Sequence, residues 1–127
     1  MDKELAVQSL TDTMAKFTAY IGKRLPKDVK SKLIELKTLE TNPLAKSIYD
    51  SMDENQEAAD RLNRPSCQDT GVIQYFVEAG AHFPLLGELQ EILREATEEA
   101  TRTGPLRHNA VETFDEKNTG TNTGTQI

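Results

Sequence analysis

Pro65 and Gly71 bracket the only cysteine of the chain, in the stretch Arg64-Pro65-Ser66-Cys67-Gln68-Asp69-Thr70-Gly71. Proline removes a backbone donor and biases the preceding residue toward an extended or turn path, so a helix does not run through this stretch. Gly71 permits positive φ or a close approach of backbone to a ligand. The stretch therefore divides the chain. A helix-rich, Lys-rich part precedes it, and a mixed part richer in Gly and His follows. A thiol on a loop, flanked by an amide and a carboxylate, is a place where a rigid scaffold can carry chemistry. The alternative is that Cys67 is a small buried hydrophobe. Polar Gln68 and Asp69 beside it are poor neighbours for a deep core position.

The length fits one domain, residues 1–127, with a core of ordinary size within reach. Within it, residues 1–63 read as a helical scaffold, 64–117 as the site-bearing segment and 118–127 as a Gly/Thr/Asn-rich tail. Val7, Leu10, Met14, Phe17 and Ile21 recur at three and four, which predicts a helix over 2–23. Pro26 suits the first turn of a second helix to about Leu39, with Val29, Leu33 and Leu36 on its buried face. Thr41 or Asn42 caps a third, opened by Pro43, with Leu44, Ile48, Met52, Ala59 and Leu62 inward. Val72-Ile73-Gln74-Tyr75-Phe76-Val77 is β-branched and aromatic and predicts a strand. Its backbone would need partners from residues 105–115 or from another chain. A fourth helix is expected over about Glu88–Arg102, with Leu89, Ile92, Leu93, Ala96 and Ala100 as its stripe and Glu91 and Glu95 around Arg94. Gly104-Pro105 ends it. The tail is expected to be mobile. The fold class is mainly α with one or two short strands (α+β), one lobe of a larger unit.

Charge narrows the function classes. The net charge is −6, which argues against nucleic acid as a main partner. Residues 1–37 carry eight Lys/Arg and five Asp/Glu, and the remainder seven against sixteen. No apolar run approaches membrane-spanning length, and Met-Asp-Lys-Glu-Leu lacks the apolar core of a signal peptide. One cysteine makes no internal disulfide. A cytoplasmic location fits all of this.

Few side chains could carry chemistry. Cys67, His82 and His108 are a thin set for zinc, which takes three or four protein ligands. A Cys–His hydrolase from Cys67 and His108 lacks any nameable oxyanion hole or orienting group. Gly120 and Gly124 lack the Lys and following helix of a phosphate loop. Arg107, on a loop after Gly104-Pro105, offers a fork that fits a carboxylate. It could equally pair on the surface with Glu112 or Asp115.

Four stretches in order carry a resemblance: Leu62 to Gly71, Phe83-Pro84-Leu85-Leu86-Gly87-Glu88-Leu89, Pro105-Leu106-Arg107-His108-Asn109-Ala110-Val111, and Asn118-Thr119-Gly120. Together they resemble the N-terminal part of the α subunit in the iron–sulfur hydro-lyases, the family of class I fumarases and L(+)-tartrate dehydratases. The resemblance implies removal of water from a 2-hydroxy dicarboxylate: tartrate to oxaloacetate, or malate to fumarate. It implies a 4Fe–4S cluster whose open iron acts as a Lewis acid. Cys67 matches the first of its three thiolate ligands. Gln68 and Asp69 match residues that contact substrate, and Arg107 matches one that clamps a substrate carboxylate. No catalytic base is matched, because the family's base belongs to its C-terminal portion, often a separate β subunit. The implied partners are thus a dicarboxylate and a β subunit in a hetero-oligomer. The family's α portion is more than twice this long and carries the other two cysteines elsewhere. On this resemblance the chain is expected to be a truncated α subunit, inactive alone. A non-catalytic helical interaction domain, with an inert buried Cys67 and a self-contained core, is the alternative.

Overall fold

The computed structural model describes residues 2–66, 71–104 and 106–124. Among them the architecture is mainly α. Helix α1 spans Lys3–Ile21, α2 Lys27–Leu39, α3 Pro43–Leu62 and α4 Leu89–Thr103, with a short 3-10 turn at Leu86–Glu88 leading into α4. Local chemistry sets the ends. The Asp2 carboxylate accepts the Glu4 amide at 3.2 Å and starts α1. The Asn42 side chain accepts the Leu44 amide at 2.9 Å, with Pro43 in the first turn of α3. Both satisfy orphan donors of a first turn. Asn63 closes α3 in the left-handed conformation, which asparagine tolerates better than most residues.

The core lies between α1 and α4, the two helices in closest association. Its buried apolar residues are Ala15, Ala59, Leu85, Ile92, Ala96 and Ala100, four of them alanines. Ala15, Ala96 and Ala100 form the seam, with Met14, Ala19 and Leu106 packed around it. Small side chains let the two backbones approach, and this reverses part of the stripe expected for α1. Thr11, Ala15 and Thr18 are buried, while Phe17 and Ile21 are about half exposed. The threonine hydroxyls of α4 turn back on the preceding turn: Thr101 Oγ1 donates to the Thr97 carbonyl and Thr97 Oγ1 to that of Leu93. These bonds satisfy the hydroxyls of Thr97 and Thr101 at the seam, whereas the buried Thr11 Oγ1 has no hydrogen-bond partner among the described residues.

Gly104 ends α4 where nothing larger fits. A Cβ there would lie 2.5 Å from the Ala100 carbonyl oxygen and 2.7 Å from the Ala19 Cβ. Gly104→Val is therefore expected to lower stability by about 1–3 kcal/mol, as forced overpacking does. A lower urea midpoint at unchanged slope would register it. An unchanged midpoint would mean that α1 and α4 are not clamped at this end.

Helices α2 and α3 stand apart from that core. No residue of α2 is buried, and in α3 only Ala59 is. The expected inward residues Val29, Leu36, Leu44, Ile48, Met52 and Leu62 are exposed, and Leu33 is only half-buried. Charge links the pair: Lys37 reaches Asp50 at 2.6 Å and Asp53 at 2.9 Å. Arg24, 4.7 Å above the Tyr20 ring, reaches Asp60 at 2.6 Å. The Arg24 guanidinium holds the Asp60 carboxyl below the usual range, though exposed pairs of this kind add little stability. Arg94 pairs with Glu91 and Glu98, one turn on either side, rather than with Glu91 and Glu95.

The strand expected over 72–77 is absent. The described residues contain one isolated antiparallel bridge, Val111 to Asn118, and residues 71–80 pair with none of the segment 106–115. The segment nevertheless alternates in burial over residues 72–76. Ile73 and Tyr75 are half-buried, whereas Val72 and Phe76 are almost fully exposed. Tyr75 explains the inward face: its hydroxyl shares hydrogen bonds with Thr18 Oγ1 at 2.7 Å and Thr97 Oγ1 at 3.1 Å. The segment is pinned to α1 and α4 by side chains, so its β-type composition reflects a half-buried surface and not a ladder.

Candidate functional site

One groove of about 750 Å³ takes in residues from two of the four motif stretches, Leu62 to Gly71 and Pro105 to Val111. Its floor is the face of α1 bearing Phe17, Thr18 and Ile21. One wall is residues 71–77, and the other is the loop carrying Leu106, Arg107 and Asn109. Ser66 and Gly71, which flank the cysteine loop on its two sides, both line it. Cys67, Gln68 and Asp69 themselves lie outside the described residues. Arg107 is thus brought to the same groove as both ends of that loop, at the polar rim of a largely apolar cleft.

Backbone anchors hold the two loops. Asn55 of α3 donates from its side-chain amide to the Ser66 carbonyl, and the Arg64 amide donates to the Ala59 carbonyl at 2.9 Å. Gly71 follows with φ of 66°, a conformation open to glycine at little cost. Across the groove, the Asn109 side-chain amide donates to the Gly71 carbonyl at 2.9 Å. That bond joins the Arg107 loop directly to the end of the cysteine loop. Sequence reasoning assigned Asn109 no role, and only the contact across the groove reveals one.

Residues 118–124, expected to be mobile, are instead threaded into this arrangement. The Thr119 amide donates to the Ala110 carbonyl at 2.9 Å, and the Asn118 side chain donates to the His108 carbonyl. Asn118 Oδ1 also accepts the Gly120 amide at 2.8 Å, a local turn that asparagine makes by bonding its own backbone. Asn122 reaches further, to the Arg107–Ala110 backbone and to α4. The visible signal was the repeat Asn118-Thr119-Gly120 and Asn122-Thr123-Gly124, which is turn chemistry as much as low complexity.

His108 takes no part in the groove. It lines a separate hollow with Glu95, Glu98 and Glu99. A Cys–His pair between Cys67 and His108 needs both at hydrogen-bond reach, and Cys67 lies outside the described residues. His82 is exposed on the turn after Gly80. Among the described residues no three His, Cys, Asp or Glu side chains converge as metal ligands.

That bears on the cofactor implied by the resemblance. A four-iron cluster is held by several thiolates; the chain has one cysteine, and no other ligand set converges among the described residues. These residues do not by themselves fit such a cluster, and the chemistry below is derived without it. No described helix is long and apolar enough to cross a membrane.

Comparison with known proteins agrees with the motifs. The family model described as fumarate hydratase (Fumerase) matches residues 11–127. L(+)-tartrate dehydratase subunit alpha of Escherichia coli (strain K12) is 56% identical over 126 residues, covering 99% of this chain and 42% of that protein. The Shigella sonnei (strain Ss046) protein of the same name matches to the same extent. A putative L(+)-tartrate dehydratase subunit alpha of Methanocaldococcus jannaschii is 34% identical over 106 residues, covering 79% of this chain and 36% of that protein. The chain thus spans 42% of the length of the bacterial relatives it matches.

Proposed function

Because the chain belongs to the fumarate hydratase (Fumerase) family, we propose that it carries one wall of a hydro-lyase site for a 2-hydroxy dicarboxylate, L-tartrate first and malate second. The observation that supports this reading is the groove itself, which takes Arg107 and both ends of the cysteine loop onto one face. A guanidinium presents parallel N–H donors that match the two oxygens of a carboxylate. Arg107 is the residue proposed to hold one carboxylate of the substrate. Gln68 and Asp69 are proposed to contact the rest of it from the facing loop. In the reaction, a C–O and a neighbouring C–H bond break and water leaves; tartrate gives the enol of oxaloacetate, malate gives fumarate. The proton acceptor is assigned to none of these residues.

Cys67 is proposed as one thiolate of a 4Fe–4S cluster whose other ligands this chain does not contain. The names of the relatives, each an alpha subunit, support a β subunit as partner and a hetero-oligomer as the working form. A cytoplasmic location goes with a lone unpaired thiol and a reduced cluster ligand. The test is a titration of the isotope-labelled chain with L-tartrate, followed by backbone amide shifts. The proposal expects the moving signals to be those of Arg107, Asn109 and Gly71. Shifts confined to other surfaces, or none into the millimolar range, would overturn it.

The non-catalytic alternative needs a self-contained core. The buried apolar set is mostly alanine, and α2 buries no residue, so the described residues favour a piece of a larger assembly instead.

A further inference from the structure

We infer that Asn122 is a positioning residue for the Arg107 loop, fixing where that loop stands relative to α4 and the cysteine loop. This rests on the carboxylate-binding reading of Arg107.

Four bonds converge on this one amide. Its Oδ1 accepts the Asn109 amide at 2.6 Å and the Ala110 amide at 3.4 Å. Its Nδ2 donates to the Arg107 carbonyl at 2.6 Å and to Thr101 Oγ1 at 3.1 Å. A side-chain amide has two donor hydrogens and an acceptor oxygen with two lone pairs, so its hydrogen-bonding capacity is fully engaged. Three of the four bonds go to the backbone of residues 107–110, which makes the amide a splint across the loop. The fourth ties the splint to α4, because Thr101 is buried and its one hydroxyl hydrogen has the Thr97 carbonyl at 2.7 Å as its nearer acceptor and the Thr121 carbonyl at 3.1 Å as the other.

The backbone of Asn122 is itself unusual, with φ of 59°. Glycine would adopt that conformation without steric cost; asparagine holds it while supplying the splint. The path continues through the loop it fixes, since Asn109 donates onward to the Gly71 carbonyl. A continuous line of hydrogen bonds therefore runs from α4 through Asn122 and Asn109 to the end of the cysteine loop. Asn122 also lines the groove beside Arg107, but its polar atoms face the loop backbone, which leaves substrate contact to Arg107.

The consequence is a population argument. Without the splint the Arg107 loop samples many positions, and apparent affinity falls by the fraction of time it spends in the competent one. Asn122→Gly keeps the backbone conformation accessible and removes the side chain. The expected result has two parts. Amide hydrogens of Asn109 and Ala110 exchange faster while those of α1 and α4 are unchanged, and L-tartrate binding measured by amide shifts weakens about tenfold. Asn122→Asp retains the acceptor oxygen and loses the donors, so it should restore protection at Asn109 and Ala110 and recover only part of the affinity.

Unchanged exchange at Asn109 and Ala110 in Asn122→Gly would overturn the positioning role. So would faster exchange throughout α1 and α4, which would mark Asn122 as a general stability residue. If tartrate affinity is insensitive to Arg107→Ala as well, the carboxylate reading fails. Sensitivity to Arg107→Ala with none to Asn122→Gly defeats the positioning role alone.

Discussion

Arg107→Ala is expected to weaken L-tartrate binding by about 1.5–3 kcal/mol, roughly ten- to a hundredfold in Kd, the scale of hydrogen bonds to a charged group. The loss comes from the fork. Among the described lining residues Arg107 is the only cation, so removing it leaves the groove with neutral polar groups such as Ser66, Gln74 and Tyr75 and no charged fork for a carboxylate. Arg107→Lys should recover only part of the affinity, because an ammonium is a point charge and cannot place two parallel donors. The helices should be untouched in both variants, since the Arg107 side chain is exposed and lies outside the α1–α4 seam. Circular dichroism and thermal melting read that control. Full affinity in Arg107→Ala would remove the carboxylate clamp from the account and leave the groove without an anion partner.

Ile92→Ala should be the most damaging single truncation among the described apolar residues. Ile92 is the largest fully buried apolar side chain, 1% exposed, in a core otherwise made mostly of alanine. Large-to-small changes of this kind cost about 2–5 kcal/mol through lost transfer energy and the cavity left behind. In a domain of this size that is a drop in Tm of roughly 10–20 °C. Leu44→Ala is the matched contrast. Leu44 is 72% exposed on α3, and surface truncations stay within about 0.5 kcal/mol. Equal losses from the two would show that the exposed face of α3 is covered in solution.

The helices were legible because their ends are written in local chemistry. Asp2, Asn42-Pro43 and Gly104 each act within a few residues of where they stand. The burial of those helices was not. Periodicity marks an apolar stripe but not whether a neighbour arrives to cover it, and on α2 and α3 none of the described elements does. On α1 the same rule favoured Phe17 and Ile21 over Thr11 and Thr18. The seam went to small residues because α4 offers Ala96 and Ala100, a fact about the partner helix. The segment 72–77 shows the same limit. Its β-branched and aromatic composition suits a half-buried surface, but a ladder requires a second strand, and side-chain bonds to Thr18 and Thr97 took its place.

The site divides in the same way. Arg107 stood out as a guanidinium on a loop after Gly104-Pro105, and the groove it lines also takes in Ser66 and Gly71. Asn109 and Asn122 did not stand out. Their partners are 38 and 13 residues away in sequence, and nothing in the local pattern distinguishes a splint from a turn. Tail composition suggested mobility for the same reason: side-chain bonds to distant backbone leave no periodic trace.

The central claim is that Ser66 and Gly71, the residues on either side of the cysteine loop, line one groove together with the Arg107 loop. Cys67 is the only thiol in the chain, so a nitroxide attached to it reports from a single site. The measurement is paramagnetic broadening of backbone amide signals in the labelled chain. The account predicts strong broadening at Arg107, Asn109 and Ala110, with the amides of α2 left sharp. Sharp signals from 107–110 beside broadened ones elsewhere would contradict it, because the two loops would then belong to different faces of the molecule.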